Sequence, residues 1–134
     1  MHYRTLGKSN LQVSALCLGT MMFGDQTGQD EAAAIVADAR AQGVNYIDTA
    51  DVYTKGASET MLGSLLKGQR RDWVLATKLG NKMSDRVNEG HYSRSWMLRA
   101  LDNSLQRLQT DHVDILYMHR DVNGMDLEEP LRAI

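Results

Sequence analysis

Short apolar runs alternate with amphipathic stretches along this chain of 134 residues. Over residues 3–16, two strand-like pieces flank Gly7-Lys8-Ser9-Asn10, which is turn chemistry and predicts a small hairpin. Residues 15–18 form an apolar run that ends in Gly19-Thr20. After a loop at 24–28, Thr27 and Asp30 have capping-box-like spacing. Behind them Ala32, Ala33, Ile35, Val36 and Ala39 recur at helical period, and Gly43 is a stop signal. The next apolar run ends abruptly at Asp48, with Tyr53 five residues on in a loop. Being short and rich in β-branched and aromatic residues, it reads as a buried strand.

The pattern then repeats. Ser58 is a candidate N-cap for a helix whose apolar face is Met61, Leu62, Leu65 and Leu66, with Gly68 marking its end. Residues 73–77 form another buried-strand run, ending at Lys78. Residues 79–92 read as a long polar loop. Ser93 is placed to cap a helix with Met97, Leu98, Leu101, Leu105 and Leu108 on its core face. Residues 113–118 form a last strand run, ending at His119. Asn123-Gly124 marks a turn, and Asp126 opens a final helix with Pro130 in or near its first turn. A hairpin followed by four strand–helix units predicts an α/β fold with a parallel sheet and right-handed crossovers.

Composition narrows the picture without redirecting it. An apolar fraction of 43% suits one globular domain and is too high for disorder. A net charge of -2 gives no electrostatic reason to expect nucleic acid or an anionic membrane as partner. No apolar run approaches the roughly 20 residues that span a bilayer, and the N-terminal residues lack a signal-peptide core. Cys17 is the only cysteine, so no disulfide forms within the chain and a reducing cytoplasmic setting is the default. Its apolar neighbours mark it as an inert core thiol.

Three consecutive strand runs end in Asp48, Lys78 and His119. In a parallel sheet these ends share one rim, where Tyr53 can join them. Singly, each has a bland reading: a turn acid, a rim charge, a structural histidine, a packing tyrosine. Together they suit proton delivery to a carbonyl oxygen. A phenol with its ordinary pKa of about 10 is a weak acid at neutral pH. A neighbouring ammonium favours phenolate, and Asp48 can hold Lys78 in place. A histidine beside the phenol can orient the substrate oxygen. Reduction at carbon also needs a hydride donor, which side chains cannot be and a nicotinamide can.

These residues resemble the signature of the aldo-keto reductase family. The matching pieces are Ile47-Asp48-Thr49-Ala50, then Tyr53, Ser58-Glu59 and Leu62-Gly63. The segment Leu18-Gly19-Thr20-Met21-Met22-Phe23-Gly24 and the strand ends Ala76-Thr77-Lys78 and Asp114-Ile115-Leu116-Tyr117-Met118-His119 also match, in order along the whole chain. Met22-Phe23-Gly24 and His119-Arg120-Asp121 look more like the bacterial and channel-β-subunit-like branch than the aldose-reductase branch. The resemblance implies a (β/α)8 TIM-barrel type fold with the hairpin closing its bottom, and NADPH-dependent reduction of aldehydes or ketones. It implies Tyr53 as general acid, Lys78 and Asp48 as its tuning pair, and His119 as the orienter of a small-molecule carbonyl substrate. Gly19, Thr20 and Met21 match cofactor-contacting positions, and Asp48 would also touch the nicotinamide ribose.

Such a barrel has eight strands and roughly twice this length, so the expectation is that residues 1–134 form its N-terminal half as a single domain. The remaining grips on the cofactor, including those that choose NADP over NAD, would lie in the other half. The alternative is a truncated non-catalytic half-barrel acting as an interaction or regulatory subunit. A lone half would expose a strand edge and an apolar sheet face, which favours part of a longer reductase. A homo-oligomer stays open.

Three other motifs lead nowhere. His119-Arg120-Asp121 matches a kinase fragment without the glycine-rich loop that would precede it. Asp111-His112-Val113-Asp114 tempts a metal reading, but strand alternation would part Asp111 from His112 and no second ligand has the spacing. No G-x-G-x-x-G or P-loop is present. The cluster Gly68-Gln69-Arg70-Arg71 reads as a solvated loop, with a surface contact as the alternative.

Overall fold

A computed structural model describes residues 1–134. The hairpin is β1 (Tyr3–Thr5) paired antiparallel with β2 (Gln12–Ser14). Four parallel strands follow, in the spatial order β3 (Leu18–Gly19), β4 (Tyr46–Asp48), β5 (Val74–Leu79) and β6 (Ile115–Met118). The helices between and after them are α1 (Gln29–Ala41), α2 (Ala57–Leu65), α3 (Arg94–Leu108) and α4 (Glu128–Ala133). Spatial order equals chain order, so α1, α2 and α3 each cross over to the adjacent strand, as expected of repeated βα units.

The main core lies between the helices and the face of the sheet that carries Ile47 and Leu75. Phe23, Ala32, Val36, Leu62, Leu66, Trp73 and Leu108 complete it. The opposite face carries Tyr46, Asp48, Ala76, Lys78 and Tyr117, because strand side chains alternate. The Tyr46 and Tyr117 hydroxyls meet there at 2.8 Å. The hairpin sits at the other end of the strands from Asp48. The Tyr3 hydroxyl donates to the Gly43 carbonyl at 2.8 Å, and Asn45 ties to Ser14 and Gln12.

Several local expectations need correction. Cys17 is exposed, not a core residue: it lies two residues before Gly19 and so shares the open sheet face. Burial by its neighbours, then the Asp48 charge, still push its thiol up to about 11, against Lys78. Gly28, not Thr27, is the N-cap of α1. The backbone of Thr27 is occupied in the preceding loop, donating to Met22 and accepting from Gly24. Gly56 is the N-cap of α2, so Ser58 lies inside the helix and is fully buried. Ser93 occupies the N-cap position of α3 without a side-chain capping bond. Leu98 is 40% exposed; the buried stripe of α3 runs through Met97, Ala100, Ser104 and Leu108, and Leu98 is one residue round from it. The final helix begins at Glu128, with the Asp126 carboxylate accepting from the Glu128 N–H at 2.9 Å.

Arg70 is not solvated. It donates to the Trp73 carbonyl at 2.8 Å and pairs with Asp114 at 2.7 Å, joining the start of β5 to the start of β6. Asp111 and His112 lie before β6 rather than on it, so alternation does not part them; they bond at 2.6 Å. No group of three His, Cys, Asp or Glu side chains is placed to hold a metal ion. No helix is long and apolar enough to cross a membrane.

Helices α2 and α3 pack tightly at Gly63. A Cβ there would lie 2.4 Å from the Arg107 carbonyl oxygen and 2.8 Å from the Leu108 carbonyl carbon. Both are backbone atoms, so only a shift of one helix relieves the clash. Gly63→Ala should therefore destabilise by about 1–3 kcal/mol in urea unfolding, despite alanine's better helix propensity. An unchanged midpoint would contradict this close packing.

Candidate active site

Strand register brings the sequence candidates to one edge. Gly19 pairs with Asp48, Asp48 with Ala76, and Lys78 with Tyr117. Asp48 is the last residue of β4, Lys78 the penultimate residue of β5, and His119 follows β6 directly. His119 is two residues beyond Tyr117, so it faces the same side. Its N–H donates to the Leu79 carbonyl at 2.8 Å, which continues the ladder past the strand end.

Lys78 is the centre of the group. Its Nζ donates to Asp48 Oδ1, to the Thr49 carbonyl at 2.9 Å and to the Tyr53 hydroxyl at 3.0 Å. These three acceptors use all three ammonium protons. Burial works against the Lys78 charge, but the hydrogen bonds to Asp48 and Tyr53 outweigh it and raise the pKa above the ordinary value. The amine is therefore a fixed cation beside the phenol. The His119 ring meets the Tyr53 ring edge-on, with centroids 5.7 Å apart and planes at 90°. Burial, then the Lys78 ammonium, lower the His119 pKa, with a smaller opposing pull from Asp48. At neutral pH it is an uncharged imidazole. Its Nδ1 is buried without a partner in the chain.

The turn that carries Tyr53 is unusual. Thr54, Lys55 and Gly56 follow it with φ of 48°, 53° and 91°, three left-handed residues in succession. Such a conformation costs about 1–2 kcal/mol for each non-glycine residue, so neighbours must hold it. The Thr54 hydroxyl donates to the Phe23 carbonyl at 3.2 Å. A Cβ on Gly56 would come 2.8 Å from Arg107 Cδ, so the turn lies directly against α3.

Two buried polar clusters support the rim from behind. In the first, Ser58 Oγ lies 3.0 Å from Thr20 Oγ1 and 2.9 Å from Thr49 Oγ1, and donates to the Thr20 carbonyl at 2.8 Å. The Thr20 N–H and hydroxyl both reach the Asp48 carbonyl. Thr20 is thus fully buried, with its polar groups engaged inside the chain. Gly19 and Met21, on either side of it, are exposed. In the second cluster, Glu59 is fully buried, accepting from the Thr77 hydroxyl at 2.5 Å and from Arg107 Nε at 2.7 Å. The sequence pattern pointed to Thr20 as a cofactor contact and Ser58 as an N-cap, and offered no buried hydrogen-bonding role for these two or for Thr49, Glu59, Thr77 and Arg107. One signal was available: Glu59 shares a helical face with Leu62 and Leu66, so the pattern itself buries an acid.

Comparison with known proteins agrees with this architecture. The model of the Aldo/keto reductase family matches residues 15–134. A relative described as the uncharacterized oxidoreductase YqkF of Bacillus subtilis (strain 168) is 37% identical over 136 residues, covering 99% of this chain and 44% of the relative. The holo form of aldo-keto reductase AKR11C1 from Bacillus halodurans superposes with a TM-score of 0.90 at 37% identity, over 99% of this chain and 45% of that one. The chain spans less than half the length of these relatives. Its hairpin and four βα units are part of a (β/α)8 TIM-barrel type fold.

Proposed function

This chain belongs to the aldo/keto reductase family, and from that premise we propose that it carries the proton-delivery site of an NADPH-dependent reductase of aldehydes or ketones. The observation that supports this most directly is the Lys78 ammonium bonded at once to Asp48 and to the Tyr53 hydroxyl. Tyr53 gives its phenolic proton to the substrate oxygen as that oxygen gains charge. Lys78 stabilises the phenolate left behind, and Asp48 keeps Lys78 charged and aimed. The neutral His119 donates a hydrogen bond that sets the direction of the carbonyl. Water then returns a proton to Tyr53.

A bound nicotinamide supplies the hydride for the carbonyl carbon. The residues present fit one. A Cβ on Gly19 would meet nothing within 4 Å, so the rim is open there, and Met21 is 54% exposed beside it. We assign Gly19, Met21 and Asp48 to holding the nicotinamide end. Thr20 acts from beneath, by fixing the backbone of Asp48. The lone cysteine suits a reducing cytoplasm.

The test is NADPH consumption by protein expressed from its complete reading frame, against a panel of aldehydes and ketones. The expected result is carbonyl-dependent oxidation of NADPH with one alcohol formed per cofactor. No consumption with any carbonyl, together with no NADPH binding, would overturn the proposal.

A further inference from the structure

Behind the turn of Tyr53 lies a carboxyl group that the proposed chemistry does not use. Asp51 is 1% exposed, and neither of its carboxylate oxygens has a hydrogen-bond partner. A buried ionised carboxylate without donors is strongly disfavoured. The charged groups that act on it are Glu59 from α2 and Arg107 from α3. Arg107 is already committed, donating to Glu59 at 2.7 Å and to the Ser104 hydroxyl at 3.1 Å. Glu59 has one oxygen on Arg107 and the other on Thr77. From β5, Lys78 offers Asp51 only its backbone: the Asp51 N–H donates to the Lys78 carbonyl at 3.1 Å, while the ammonium points to Asp48 and Tyr53. One cation thus serves two buried acids, and all its bonds to carboxylate go to Glu59.

We infer that Asp51 is a positioning residue for Tyr53 that works as the protonated acid, seating the turn at residues 51–56 between β5 and the Glu59–Arg107 pair. Loss of that proton puts a second negative charge beside Glu59 and loosens the turn. Burial, then the Glu59 charge, push the Asp51 carboxyl from 3.8 up to about 7, against smaller downward pulls from the Val52 backbone and Arg107. The sign of the linkage follows. Between the unfolded and folded values the folded state holds a proton that the unfolded state has released. Stability from this group therefore falls as pH rises through that window and is lost above it.

Asp51→Asn replaces the neutral acid with a neutral isostere. The gap between the thermal unfolding of the wild type and D51N should be smallest below about pH 4 and should widen as pH rises to about pH 8, where D51N unfolds at the higher temperature. The ring resonance of labelled Tyr53 should shift in the wild type with the midpoint of this ionisation, and the step should vanish in D51N. Parallel stability curves, or a Tyr53 step that survives in D51N, would overturn the inference. If D51N does not fold, carboxyl-carbon NMR of the wild type decides: one aspartate titrating near neutrality supports the assignment, and none doing so refutes it. These readouts need neither substrate nor cofactor, so they stand or fall apart from the reductase reading.

Discussion

Tyr53→Phe should lower carbonyl turnover by about 10²–10⁴-fold, the range for removing a positioned general acid, while NADPH still binds. Phenylalanine keeps the ring that meets His119 edge-on and removes only the hydroxyl that Lys78 reaches at 3.0 Å. Lys78 retains Asp48 and the Thr49 carbonyl as acceptors, so the cation stays in place. Neighbouring phenols are already engaged: the Tyr92 hydroxyl donates to the Arg120 carbonyl at 2.7 Å and accepts from the Arg120 N–H at 3.0 Å. Tyr46 and Tyr117 lie one layer deeper on the same sheet face and bond to each other. Burial, then its bond to Tyr117, push Tyr46 well above the ordinary phenol range, which makes it a poorer acid. Steady-state kinetics with a fluorescence titration of NADPH would separate kcat from cofactor affinity. Turnover within a few-fold of wild type would remove Tyr53 from the acid role.

The largest effect on stability should come from Glu59→Ala, at about 3–5 kcal/mol in urea unfolding, because breaking a buried ion pair leaves its partner uncompensated. Glu59 is fully buried, and its loss deprives both Arg107 and the Thr77 hydroxyl of their acceptor. The same change frees Arg107, whose side chain packs against Gly56 in the Tyr53 turn. The double replacement Glu59→Met with Arg107→Leu should recover much of the loss. It removes both charges, and the net contribution of a buried pair is small against apolar residues of similar size. A single-variant loss below about 1 kcal/mol, the level of an exposed pair, would show that this ion pair does not hold α2, α3 and β5 together.

Much of the fold was legible from local pattern. Asp48, Lys78 and His119 each close an apolar run, and period-2 alternation in a parallel sheet then requires them on one rim. The hairpin was legible from Gly7 and its neighbours, and the end of α1 from Gly43, which adopts φ of 82°. Capping was less legible. Thr27 and Ser58 have suitable chemistry and spacing, but the backbone bonds of Thr27 to its loop and the side-chain bonds of the Ser58 hydroxyl to Thr20 and Thr49 take precedence. Cys17 was misplaced because an apolar neighbourhood in sequence does not say which face of the sheet is covered.

The sequence by itself determined the order of elements, the family and the candidate proton-delivery group. These rest on short-range periodicity, turn residues and strand-end positions, which act within a few residues. Only the tertiary structure decided which of these groups are held, and by what. The Glu59–Arg107–Thr77 cluster joins residues from α2, α3 and β5, and the left-handed turn at Thr54–Gly56 persists because Phe23 and Arg107 hold it. The isolation of the Asp51 carboxyl follows from which donors its distant neighbours have already used. Burial and competition for hydrogen bonds depend on contacts far apart in the chain, and no local pattern encodes them.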